Sequence, residues 1–184
     1  ERRYITPTLG LDLAGYVYHP NLLHFSLATE TGIGWQKLNL RGSAAGAFTG
    51  SRKERSLLQR YTGRFTFLQE KPYTTTLFAS RASNFREADF FNRLIVDSQG
   101  YGGFGGYSRG PVPFAFSATH REEVETGLRR SLAVEDNTVA VDARHERGPG
   151  LATRFTYTLN QFSRHQPPML ADTGVNHTAS LSDN

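Results

Sequence analysis

Apolar residues recur at every second position along most of this chain, and that period decides what the chain can fold into. In Leu9-Gly10-Leu11-Asp12-Leu13-Ala14-Gly15-Tyr16-Val17-Tyr18 the odd positions read Leu, Leu, Leu, Gly, Val and the even ones Gly, Asp, Ala, Tyr, Tyr. A strand sends successive side chains to opposite faces, so this segment has one greasy face and one mixed face. Leu23, Phe25, Leu27, Ile33 and Trp35 share one parity, against His24, Ser26, Glu30 and Gln36. Leu57, Tyr61, Phe65 and Phe67 oppose Arg60, Thr62, Arg64 and Thr66, and Leu94 and Val96 oppose Arg93, Asp97 and Gln99. Phe114, Phe116 and Ala118 oppose Ser117, Thr119 and Arg121. Val139, Val141 and Ala143 oppose Thr138, Asp142 and Arg144, and Phe155, Tyr157 and Leu159 oppose Arg154, Thr156, Thr158 and Asn160. The one stretch with helical spacing, Glu122 to Arg130, is short and broken by Gly127, so it reads as a loop between strands. The chain reads as all-β.

Four prolines punctuate the alternation, in His19-Pro20-Asn21-Leu22, Glu70-Lys71-Pro72-Tyr73, Arg109-Gly110-Pro111-Val112 and Arg147-Gly148-Pro149-Gly150. Each follows a polar lead and precedes a new apolar run, where a missing N–H costs no ladder bond. Between these tight turns lie more polar stretches, Arg41 to Arg55, Ala82 to Asp89, Arg121 to Arg130 and His165 to Gly174, which read as longer loops. Short turns would then gather at one end of the sheet and long loops at the other. The count is eight strands and the start of a ninth near Asn176, an antiparallel up-and-down meander over residues 1–184. The tail 165–184 is either irregular or an unpaired ninth strand. Strands of about 10 to 16 residues exceed the ~5–6 usual in soluble domains and suffice for the ~9–11 of a tilted membrane strand.

Composition narrows the chemistry. There is no cysteine, which removes disulfides, thiolate metal sites and thiol nucleophiles. The formal charge is +4, and 18 of the 21 basic residues are arginine. No run of about 18 apolar residues is present, so no transmembrane helix is expected. The six histidines (His19, His24, His120, His145, His165, His177) show neither the i, i+4 nor the His-x-His spacing of a metal site, and no serine stands in a nucleophile-elbow context. The glycine-rich stretch Gly100 to Gly110 lacks the Gly-Lys-Ser/Thr of a phosphate loop and reads as a strand whose bare backbone lets aromatic rings lie across it. No enzyme activity, cofactor, metal or nucleic-acid partner is expected.

The four Pro-turn hairpins, and faces such as Leu151-x-x-x-Phe155-x-Tyr157-x-Leu159, give the chain a resemblance to bacterial outer-membrane β-barrel proteins as a class. The resemblance implies a transmembrane barrel or a segment of one, with a structural, pore or transport role in the outer membrane of a Gram-negative cell. Its partners would be outer-membrane lipid, lipopolysaccharide and further barrel strands. The apolar parity would face lipid, with Trp35, Tyr61, Tyr73 and Tyr157 in the interfacial aromatic belts. The other parity would face the lumen, where Arg60, Arg64, Arg93, Arg144 and Arg154 meet Asp12, Glu30, Asp97 and Asp142 as bracing or as an anion filter. A second reading turns the apolar face inward. In a soluble up-and-down barrel Trp35, Phe65, Phe116 and Phe155 would line a cavity for a lipid-like ligand.

Overall fold

The structure is a computed structural model that describes residues 2–5, 7–40, 50–88, 92–127, 131–148, 151–166 and 169–183. Within these, side chains are described for 7–34, 57–84, 95–127, 131–146, 152–166 and 171–183. The strands are β1 (Arg2–Ile5), β2 (Thr8–Val17), β3 (Leu23–Leu40), β4 (Gly50–Phe67), β5 (Tyr73–Ala88), β6 (Asn92–Tyr107), β7 (Phe114–Thr126), β8 (Ser131–Gly148), β9 (Leu151–Gln166) and β10 (Met169–Asp183). All belong to one sheet, each paired antiparallel with its neighbours, and no helix occurs among the described residues. β1 and β2 both lie on β3 in one unbroken register, from Ile5 opposite Trp35 to Thr8 opposite Gly32. They count as one strand interrupted near Pro7, which has no N–H to give a ladder. The fold is therefore a nine-strand up-and-down meander.

The proline turns are bound to one another along one end of the sheet. Leu68 N–H donates to Leu22 O at 3.0 Å, and the Asn21 side-chain amide donates to Glu70. Ser108 N–H donates to Pro72 O at 2.7 Å, and Arg144 N–H to Pro113 O at 3.0 Å. Two turn residues other than glycine, Tyr18 and Leu68, hold positive φ at 66° and 56°, beside Gly110 at 85°.

The opposite end differs from the sequence expectation. Residues 82–88 continue β5, residues 121–126 continue β7, 50–55 open β4, and β10 begins at Met169 rather than near Asn176. The segments between strands at that end are 89–91, 127–130 and 167–168, with only 41–49 long. The polar stretches read as long loops are thus mostly strand, polar on both faces, and alternation vanishes where neither face is apolar.

The described residues form no hydrophobic core. Among the described residues Leu132 is the one buried apolar side chain, at 7% exposure. The chain exposes 13587 Å², against roughly 8900 Å² expected of a folded monomer of its mass. A single layer has nothing to bury its apolar side against, and that face stands open.

Candidate functional site

Facing residues on paired strands share a face, so register carries parity from strand to strand. One row runs through Phe25, Phe65, Leu77, Gly103, Ala118, Val139, Leu159 and His177. Its neighbour on the other face runs through Ser26, Arg64, Phe78, Gly102, Thr119, Thr138, Asn160 and Asn176. Every exposed large hydrophobic lies on the first, apolar face except Tyr16 and Phe104 on the polar face and Tyr18, Leu22 and Val112 in turns. Leu11 at 67% and Leu181 at 70% mark how open that face is at the two edges of the sheet.

The polar face forms the hollow. A cavity of about 610 Å³ has a floor of small residues (Gly10, Ala28, Thr62, Ser80, Ala82, Ser98), with Asp12, Glu30 and Arg60 beside it. Glu30 faces Arg60 directly across β3 and β4, and Arg64 stands between Ser26 and Phe78. A second hollow of about 130 Å³ shares Glu30 and Arg60.

Bracing occupies a different part of the same face. Arg154 Nε–H donates to Asp142 Oδ2 at 2.8 Å, and Arg144 lies 3.1 Å from Glu146. The Asn160 side-chain amide donates to Asp136 at 3.2 Å and to Thr138 at 3.0 Å, while Thr138 donates to Asp136 at 3.0 Å. Asp142 and Arg154 thus pair across β8 and β9, and Asp12, Glu30 and Arg60 on β2 to β4 border open space.

Seven of the nine charged residues singled out in the sequence (Asp12, Glu30, Arg60, Arg64, Asp142, Arg144, Arg154) share the polar face. Two do not. Asp97 faces Ser83 and Val124 and so lies in the apolar parity, and Arg93, opposite Glu87, holds the same parity in the register. The side chain of Arg93 is outside the described residues. Both belong to the half of β6 beyond the apolar band, where polar residues occupy either face and the hydrophobic parity of Leu94 and Val96 misleads.

The aromatic residues also separate. Tyr73 sits beside the turns, in a row with Tyr107 and Phe114, whose ring centroids are 6.3 Å apart. Tyr61 sits at the opposite margin, facing Thr29 and Arg81. Tyr157 lies mid-band, facing Val141 and Ala179, with its hydroxyl 3.0 Å from His177 Nδ1. Trp35 pairs in the backbone with Ile5 and Arg55, and its side chain is outside the described residues. Tyr101, not singled out as a belt residue, shares the margin of Tyr61 and stacks on His120 at 4.6 Å. His120 Nδ1 lies 2.6 Å from Asn137 Oδ1. Tyr101 lies in the glycine-rich stretch, of which Gly100 to Tyr107 belong to β6 as expected and Ser108 to Gly110 to the turn. There a Cβ on Gly103 would sit 2.8 Å from Leu77 Cδ2, so the bare backbone seats the leucine.

An open layer of nine long antiparallel strands, apolar on one side and polar on the other, has the form of a segment of a β-barrel wall. Among solved structures the chain is similar to the outer membrane transporter YddB from Escherichia coli, with a TM-score of 0.55 at 8% identity. The match covers 99% of this chain and 30% of that one, so the chain spans about 30% of the transporter's length. At that identity the likeness is one of fold. No protein-family model and no curated protein matches the chain.

Proposed function

We propose that the chain is part of the wall of a barrel in the outer membrane of a Gram-negative bacterium, with a passive pore or transport role and no catalysis or cofactor. Lipid and lipopolysaccharide cover the apolar face, and the polar face lines the lumen. The carrying observation is the exposed apolar face itself: a soluble monomer rarely leaves more than a few hundred Å² of contiguous apolar surface open. The small-residue hollow beside Asp12, Glu30 and Arg60 is the part of the lumen where passing solutes meet charge. Asp142 and Arg154 hold β8 to β9.

The edges bear on closure. β2 runs toward the proline turns and so does β10, so joining them would make a parallel seam. Antiparallel closure takes an odd number of further strands, in keeping with the even totals of single-chain bacterial barrels. The soluble reading has less support: the 610 Å³ cavity is lined by Asp12, Glu30, Arg60 and small residues, and Phe65, Phe116 and Phe155 do not line it.

Fractionation of the full-length protein tests the proposal, with heat-modifiable migration as the second readout. Recovery in the outer membrane with a folded band that shifts on boiling is expected; recovery in the soluble fraction sinks it.

A further inference from the structure

The margin of the apolar band cuts across the ladder at a slant, and the slant is measurable in register. Moving away from the proline turns on the apolar face, the first side chain able to accept or donate hydrogen bonds after the band is Gln59 on β4, Arg81 on β5 and Gln99 on β6. It is His120 on β7, Asn137 on β8, Gln161 on β9 and His177 on β10. Tyrosines, and Thr75 and Thr153 within the band, are counted with the apolar side; on β3 Thr29 and Thr31 interrupt the apolar parity, so the line begins at β4.

A row at right angles to the strands takes another course. From Gln59 it passes through Ser83, Asp97, Val124, Ala133 and His165, and it reaches β10 at Ala171. Ala171 is six residues from His177 along β10, after six strand-to-strand steps from β4. The margin therefore slips about one residue per strand. With about 3.3 Å per residue and about 4.8 Å between strands, that slip corresponds to a tilt of roughly 35°.

We infer that one headgroup layer of the bilayer follows this slanted line from Gln59 to His177, which fixes where each strand from β4 to β10 leaves the membrane. The inference rests on the membrane reading and adds the depth of each strand in it. A lipid surface is level, so a band that contacts it must be level too, and only tilted strands make a slanted band level. The angle lies at the low end of the 35–45° of closed membrane barrels, although no closure is present in the sheet that yields it. Beyond the line the strands stand in water, which accounts for Ser83 and Asn84 on the two faces of β5 and Glu122 and Glu123 on those of β7; Leu57, Ile95 and Val124 are scattered apolar residues on that side.

Arg81 occupies the line between the Tyr61 row position and Gln99, where a cation meets lipid phosphate. Farther along, Glu122 faces Glu135 just above the line, on the water side.

The 184 residues contain no cysteine, so single labels can be placed cleanly. Nitroxides at Gln59→Cys, Gln99→Cys, Asn137→Cys and His177→Cys, in full-length protein folded into phosphatidylcholine vesicles, are compared for contact with lipid-soluble oxygen and a water-soluble nickel chelate. A second set, Asp97→Cys, Ala133→Cys and Ala171→Cys, follows the perpendicular row from Gln59. The first set is expected at one depth, and the second progressively farther into water, with Ala171 about 16 Å beyond His177 along the membrane normal. Equal depth along the second set overturns the slant and leaves the membrane reading standing. Equal nickel contact at every site, with a Leu77→Cys label included, overturns both.

Discussion

Arg154 on β9 holds Asp142 on β8 through Nε at 2.8 Å, with both side chains substantially exposed. Water screens such a pair, so its worth is set at about 0.2–1 kcal/mol. Asp142→Asn and Arg154→Gln should each lower folding stability by less than about 1 kcal/mol, and a double-mutant cycle in urea should return a coupling of that size. A coupling above about 3 kcal/mol would mean that the pair is desolvated by something covering the polar face.

Gly105 on β6 and Gly10 on β2 make opposite predictions. A Cβ on Gly105 would stand 2.6 Å from Thr74 O and 3.1 Å from Phe116 Cζ, whereas on Gly10 it meets only Thr29 O at 3.7 Å. Gly105→Ala is expected to destabilise by about 1–3 kcal/mol because backbone must shift. Gly10→Ala should be neutral or gain about 0.5 kcal/mol from the unfolded chain's lost freedom. Urea titration of folding into vesicles reads both.

The two faces should price a charge differently. Leu77 lies mid-band on the apolar face, and Ser80 lines the hollow of the polar face on the membrane side of Arg81. Leu77→Arg is expected to cost about 2–4 kcal/mol and Ser80→Arg about 0–1 kcal/mol in bilayer refolding titrations. Equal costs at the two sites contradict the assignment of faces.

Period-two alternation made the all-β meander legible, along with seven of the nine charged residues on the polar face. It failed where its physical cause is absent. Beyond the apolar band polar residues stand on both faces, so Arg121 to Thr126 and Ala82 to Ala88 carry little periodic signal and read as loops from sequence, although they are strand. The same gap put Asp97 on the wrong face, since Leu94 and Val96 supply a parity unrelated to the band. The hollow draws its floor from five consecutive strands, β2 to β6, and Gly10, Ala28, Thr62, Ser80, Ala82 and Ser98 are small and unremarked singly. Which face is hollow is a property of sheet curvature, and a strand's own sequence is silent on it.

The central claim, that the apolar face meets lipid and the polar face meets water, is tested most directly by one quenching measurement on two positions. A fluorophore at Leu77→Cys and at Ser80→Cys, both on the membrane side of Arg81, in protein folded into vesicles, is exposed to lipid with bromine on its acyl chains and to aqueous iodide. The account predicts quenching of the Leu77 label by the brominated lipid and of the Ser80 label by iodide. Equal iodide quenching at both positions, with no effect of the brominated chains on either, would contradict it.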